Sequence, residues 1–211
     1  IWMGGNATNQ GFINSGGGDI DMQMYAQGGT GPKWGFYNFG NFSITAGAGN
    51  ISIFGDASAA VGDNYNGAGN GVFLFTNNPI TADGNISITG YDGTGNNIVG
   101  VDIRSAVTST AGNITIIGDD LSFGAAVSAA TGALNLTASG TVTQSAALTA
   151  NGLGLNGAGT FTLTNTSNNV STIAGGDASN RLGNVAYRDA DNLEIGTVGS
   201  QSGIFGSGTV L

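Results

Sequence analysis

The chain has 211 residues, enough to bury a sizeable core, yet only 8% of them are charged and 40 are glycine, so Asn, Ser, Thr and Gly must cover most of its surface. It contains neither Cys nor His, which excludes disulfides, thiolate nucleophiles, soft-metal sites and imidazole acid–base chemistry. Four basic residues (Lys33, Arg104, Arg181, Arg188) stand against 13 carboxylates, for a net charge of −9, so no basic patch can form for nucleic acid or an anionic membrane.

The opening Ile1-Trp2-Met3-Gly4-Gly5 is no signal peptide, and no run approaches the roughly 20 apolar residues needed to span a bilayer. Both this start and the close at Gly208-Thr209-Val210-Leu211 read as the interior of a longer chain. Residues 1–40 read as irregular N-terminal coils or a cap. Within them Gly16-Gly17-Gly18-Asp19-Ile20-Asp21 is a turn, since it lacks the tandem nonapeptides of calcium-binding β-rolls. Trp34-Gly35-Phe36-Tyr37-Asn38-Phe39 gathers four of the chain's 17 aromatic rings (2 Trp, 5 Tyr, 10 Phe). Strand alternation places Trp34 and Phe36 on one face and Tyr37 and Phe39 on the other. All four are candidate ligand-stacking residues, with core packing or end-capping as the competing role.

From residue 41 a phrase recurs: Gly49-Asn50-Ile51-Ser52-Ile53-Phe54-Gly55, Gly84-Asn85-Ile86-Ser87-Ile88-Thr89-Gly90 and Gly112-Asn113-Ile114-Thr115-Ile116-Ile117-Gly118. Gly40-Asn41-Phe42-Ser43-Ile44-Thr45 reads as an earlier copy, and Gly132-Ala133-Leu134-Asn135-Leu136-Thr137 and Gly152-Leu153-Gly154-Leu155 as weaker later ones. Each is a turn followed by a strand with apolar residues at period two. The spacing between phrase starts shortens from Gly49 through Gly84 to Gly112 and is then constant through Gly132 and Gly152. A coil of about 20 residues accounts for every interval if the first two carry loop insertions, at 56–70 and 91–97. Both insertions follow directly after a phrase and should leave from one corner. No window has the caps and 3.6-residue stripe of a helix. Asn70-Gly71, Asn151-Gly152 and Asn156-Gly157 are hairpin-turn signals, but the spacing of whole phrases favours stacked parallel strands. The expected fold is all-β: a right-handed parallel β-helix (solenoid) with coils of about 20 residues and loop insertions, continuous over 41–211. Ile51, Ile86 and Ile114 should form one internal column.

Gly140-Thr141-Val142-Thr143-Gln144, Leu153-Gly154-Leu155, Gly157-Ala158-Gly159-Thr160-Phe161-Thr162-Leu163-Thr164-Asn165, Asn168-Asn169-Val170 and Asp191-Asn192-Leu193-Glu194-Ile195-Gly196-Thr197-Val198 resemble the repeats of large exoproteins of the filamentous haemagglutinin type, exported by two-partner secretion in Gram-negative bacteria. The resemblance covers the chain well from about Gly132 onward, the middle loosely and positions 1–40 hardly at all. It implies a β-helical adhesin, filament or stalk that is secreted or held at the bacterial surface.

Asp56, Asp92, Asp119 and Asp120 each lie just after a strand phrase. Stacked at one corner they would repel, and Ca²⁺ is the cation that would relieve this; the competing role is the solvated turn carboxylate. No other cofactor is expected. Gly152-Leu153-Gly154-Leu155-Asn156-Gly157 fits a dinucleotide fingerprint, but a strand follows it where a helix is required. A β-helical polysaccharide-active enzyme or glycan-binding module is the alternative function, and Asp119-Asp120 and Asp189/Asp191/Glu194 are the local carboxylate groups an enzyme could use. Asn-x-Ser/Thr sequons begin at Asn6, Asn41, Asn50, Asn85, Asn113, Asn135, Asn165 and Asn169. Those at Asn50, Asn85 and Asn113 are glycosylation candidates whose asparagine the repeat itself also demands. The sequence therefore points to a non-catalytic stalk that presents loops to a host or neighbouring cell surface, to glycans, or to like chains in a fibre. End-to-end or lateral self-association would proceed through open strand edges.

Overall fold

The computed structural model describes residues 2–5, 11–26, 33–61, 69–95 and 98–210; the Asn6 sequon lies outside them. Among these residues there are strands and turns but no helix, hence none long and apolar enough to cross a membrane. The strands form an 8-stranded and a 12-stranded parallel sheet, with one two-stranded antiparallel hairpin beside them.

The first ladder, which is the 8-stranded sheet, contains Phe36–Gly40, Val72–Thr76, Val101–Ile103, Leu121–Phe123, Thr141–Gln144, Thr160–Leu163 and Val185–Tyr187, with Trp2–Gly5 at its start. The 12-stranded sheet carries two ladders. One begins with Gly11–Asn14, Phe42–Gly47, Ile80–Ala82 and Val107–Ser109. The other begins with Ile20–Tyr25, Ile51–Asp56, Ile86–Tyr91 and Ile114–Gly118. They fuse where Val127–Ala138 and Leu148–Asn156 run through both. The chain visits the first, second and third ladders in turn and then returns to the first, one strand further along. The described strands of residues 1–40 pair into these same ladders.

Register turns the sequence phrase into columns. Ile20, Ile51, Ile86, Ile114, Leu134, Leu153 and Ile173 pair in succession, and every one of them is buried. The expected stack of Ile51, Ile86 and Ile114 is thus part of a longer one. Facing it across the core, Phe36, Val72, Val101, Leu121, Val142, Phe161 and Val185 form a second column. Inward side chains of all three ladders share one apolar core.

The glycine of each phrase has a steric cause. Circuits stack so closely at this corner that a Cβ on Gly84 would lie 2.7 Å from both the Gly49 carbonyl oxygen and Asn50 Oδ1. The asparagine that follows bonds to the next circuit: Asn50 Oδ1 accepts from Asn85 N (2.7 Å), Asn85 Oδ1 from Asn113 N (2.9 Å) and Asn113 Oδ1 from Ala133 N (2.8 Å).

Three expectations need correction. Phe42–Gly47 carries the same local text but pairs with Gly11–Asn14 and Ile80–Ala82, so this strand lies in the second ladder, Gly40 ends a first-ladder strand, and the phrase does not precede Gly49 in its column. Ala133, not Gly132, pairs with Gly152, so that circuit is one residue shorter than the interval between the two glycines. Asn151-Gly152 does not turn a hairpin; it lies inside the strand Leu148–Asn156.

An inward position should therefore cost far more than its outward neighbour. Ile114→Ala should lower the unfolding free energy by about 2–5 kcal/mol, and Thr115→Ala by less than about 0.5 kcal/mol. Urea denaturation of the two variants checks this, and comparable losses would show that the inward column is not the core.

Candidate functional site

Variation in circuit length gathers at one corner. Between the third ladder and the next strand of the first, the chain inserts positions 57–71 after Asp56 and 92–100 after Tyr91. It then closes with only 119–120 after Gly118, 139–140 after Ala138 and 157–159 after Asn156, before widening again to 176–184 after Gly175. Asp56 pairs with Tyr91, so the first two insertions leave from the same corner, as the sequence led us to expect. They also stack: Ala57 N donates to Tyr91 O (2.8 Å), Thr94 N to Ala60 O (3.1 Å) and Gly93 N to Gly69 O (2.9 Å).

Of the four candidate carboxylates at this corner, Asp92 and Asp119 meet in a hydrogen bond. Asp56 accepts from Ser58 N (2.9 Å), an Asx-type turn. Asp120 receives both Thr141 N and Thr141 Oγ1, the latter at 2.7 Å. Asp92 is the perturbed member. Burial, a hydrogen bond to Asp119 and the charges of Asp119 and Asp120 push its pKa up to about 6. Among the described residues no three Asp or Glu side chains are grouped to hold a metal. Direct contact between Asp92 and Asp119 also leaves no room for a glycosidic bond between them, which an acid–base pair would need. The other group is structural at Asp189, whose carboxylate takes Tyr187 Oη (2.6 Å), Val170 N (3.0 Å) and Asp191 N (3.2 Å).

The aromatic candidates separate differently from the alternation rule. Phe36 is an inward core residue with no exposure, which removes it from any ligand surface. Trp34 precedes the strand and stacks on Tyr37 (4.6 Å between centroids), so it joins Tyr37 and Phe39 on the outer side. There Tyr37 stacks on Phe73 (5.3 Å, 6° between planes) and Phe73 on Phe75 (5.6 Å, 9°). The Arg104 guanidinium lies 5.1 Å from the Phe73 centroid and 6.0 Å from that of Phe75. Asp102 Oδ2 holds it through Nη2 (2.9 Å) and Nε (3.0 Å). Tyr37 and Phe73 are covered, whereas Phe75 is 46% exposed.

A second aromatic group had no signal in local sequence. Tyr25, Phe54 and Tyr91, on three successive strands of the third ladder, have centroids 5.3 Å and 6.0 Å apart with planes tilted by 48° and 66°. Tyr25 is 58% and Tyr91 39% exposed. The antiparallel hairpin of Thr197–Val198 and Gln201–Ser202 was equally unannounced. It lies across the outside of the third ladder, where Gln201 Nε2 donates to Leu155 O (2.6 Å) and Asn156 Oδ1 (2.9 Å). Val198 packs where Gly152 has no side chain; a Cβ there would lie 3.1 Å from the Val198 methyls. A groove of about 270 Å³ runs beside the hairpin, lined by Asn113, Thr131, Asn151, Thr172 and Thr197 among others. Asn50, Asn85 and Asn113, the glycosylation candidates, are all exposed and spend their Oδ1 atoms on the ladder described above.

Two buried asparagines show opposite accounting. Asn168 is fully satisfied: its Oδ1 accepts from Gln144 Nε2 and Leu148 N, and its Nδ2 donates to Gln144, Leu163 and Arg188 oxygens. Asn38, in register with Leu74, is wholly buried and neither amide atom finds a partner. Comparison with family models, curated proteins and solved structures returns no match.

Two measurements test this account. Because Asp92 binds its proton more tightly folded than unfolded, its contribution to stability is fully present below its ordinary value of 3.8 and is lost as pH rises from there through about 6. Asp19 and Asp177, held low by bonds from Asn50 and Asn180, act oppositely in more acidic solution. Tm should therefore fall between about pH 4 and pH 6.5, and Asp92→Asn should flatten that fall; a wild-type Tm flat across this range would refute the raised pKa of Asp92. Asn38→Val removes the cost of an orphaned amide and should raise Tm by several degrees in calorimetry.

Proposed function

We propose that this chain is a structural and adhesive segment of a secreted bacterial surface or fibre protein: a right-handed parallel β-helix that acts as a stalk and presents loops, without catalysis. The observation that carries this reading is the unbroken register of columns through the eight strands of the first ladder. At about 4.8 Å per strand such a stack is on the order of 40 Å long, and it extends by adding circuits without redesigning the core. The resemblance of the later repeats to exoproteins of the filamentous haemagglutinin type supports the same reading and supplies the extracellular setting. The single corner with long insertions supports loop presentation, to a cell surface, its glycans or a neighbouring chain. The carboxylates of Asp56, Asp120 and Asp189 support the absence of catalysis, since they are committed to a turn, to Thr141 and to Tyr187 and Val170 respectively.

Replacing positions 57–71 by Asp-Asp, the closure that follows Gly118, should leave the far-UV spectrum and the scattering-derived length intact and abolish saturable binding of the labelled chain to target cells. Retained binding would place the adhesive surface elsewhere. A compact scattering envelope with an axial ratio near one would remove the stalk.

A further inference from the structure

We propose that the groove beside the antiparallel hairpin binds an N-acetylated amino sugar, as the terminal residue of a neutral glycan. The groove lies where the asparagine column of the third ladder breaks off. Asn50, Asn85 and Asn113 each bond to the following circuit. The next positions in that column are Ala133 and Gly152, and then Thr172. Two successive circuits thus carry no polar side chain there, and the gap from Asn113 to Thr172 spans three strand spacings, about 14 Å. Val198 of the hairpin covers part of it, over Gly152, and what remains is a groove of about 270 Å³. That is just below the roughly 300–1,000 Å³ of pockets for drug-sized ligands, so it takes a single sugar residue and not a length of polymer.

The lining selects the ligand's chemistry. None of the residues around the groove is charged, Glu194 is in register with Thr172 at its far end, and the chain carries a net charge of −9, so an anionic sugar would be repelled. Hydrogen-bonding groups on the groove are unspent. Among the described residues neither the Asn151 amide nor the Thr172 hydroxyl has a partner, and Asn113 uses its Oδ1 on Ala133 N but not its Nδ2. Together they offer both donors and acceptors, and beside them lie the methyl groups of Ala133 and Val198. An acetamido group presents an N–H, a carbonyl and a methyl, and so answers amides set beside an apolar floor. A hydroxyl in its place leaves the methyl surface uncovered.

This groove is separate from the inserted circuits. Positions 57–71 leave after Asp56, at the end of a third-ladder strand, whereas Asn113 stands just before such a strand begins. The inference goes beyond the stalk reading and stands on the lining of the groove alone.

Saturation-transfer NMR on the full chain, with methyl N-acetyl-β-glucosaminide and methyl β-glucoside as probes, tests it. The amino sugar should bind saturably, with its acetamido methyl the most strongly saturated group, and the glucoside about tenfold more weakly. Asn151→Ala, at an exposed position, should weaken binding of the amino sugar roughly fivefold with Tm unchanged, and Thr172→Val should weaken it too. The chain in which Asp-Asp replaces 57–71 should bind the amino sugar as wild type does, which separates failure of this site from failure of the stalk reading. The proposal is overturned if the amino sugar fails to bind, if the glucoside matches it, if Asn151→Ala binds undiminished, or if the shortened chain, still folded, loses binding.

Discussion

Everything in this protein depends on in-register parallel pairing between one circuit of the chain and the next. Backbone hydrogen bonds fix each strand against its predecessor, and because side chains alternate at period two, a slip of one position would carry Ile51, Ile86 and Ile114 from the core to solvent. The apolar columns enforce the register, and the register creates the columns. The asparagine ladder adds a side-chain lock at the turn into the third ladder, where Asn50, Asn85 and Asn113 each hold the backbone of the following circuit.

That lock also explains where the protein can vary. At the Gly-Asn corner the circuits approach so closely that even a methyl group is excluded at Gly84, and an inserted residue would break the amide ladder. Among the described residues, the side-chain bonds between circuits at the corner after the third ladder come from differing residues, such as Asn70 to Val99 and Asp120 to Thr141, and no single amide repeats from circuit to circuit. Its connecting segments run from Asp119-Asp120 alone to the whole of 57–71. Insertions there stack on one another by their own backbone bonds, so they extend the layered pattern outward and do not hang from it as separate loops.

The core was largely legible in the sequence because it is written in a period-two phrase that recurs after whole circuits. The same property misled at Phe42–Gly47: every inward strand needs the same local text, so text alone cannot say to which ladder a strand belongs. The outer face was much harder to read. Tyr25, Phe54 and Tyr91 are far apart along the chain and unequally spaced, and they meet only because insertion lengths set which strands become neighbours. Likewise the glycines of Gly152-Leu153-Gly154-Leu155 suggested a weak repeat, whereas their missing side chains make room for the hairpin that begins at Thr197. Asp92 and Asp119 were each marked as corner residues, but the raised pKa of Asp92 depends on burial and contact that spacing does not encode.

Aromatic residues are distributed unevenly along the stack, and the unevenness has a physical consequence. Most of the rings lie at or before Tyr91, with only Phe123, Phe161, Tyr187 and Phe205 beyond it, so they share their circuits with the long insertions. Later circuits present Thr141, Thr143 and Thr162 on the outward side of the first ladder, where hydroxyls stay hydrated and offer little to a partner. Outward rings gain by being covered, and the two outward sets differ in this: Arg104 lies over Phe73 and Phe75, while Tyr25 and Tyr91 remain open to solvent beside Asp56. A chain with uniform work along its length would have no reason to concentrate rings, carboxylates and insertions in the same few circuits. On the stalk reading the two ends of this segment therefore differ in kind: regular, polar circuits supply reach, and the inserted, ring-bearing circuits supply the contact surface.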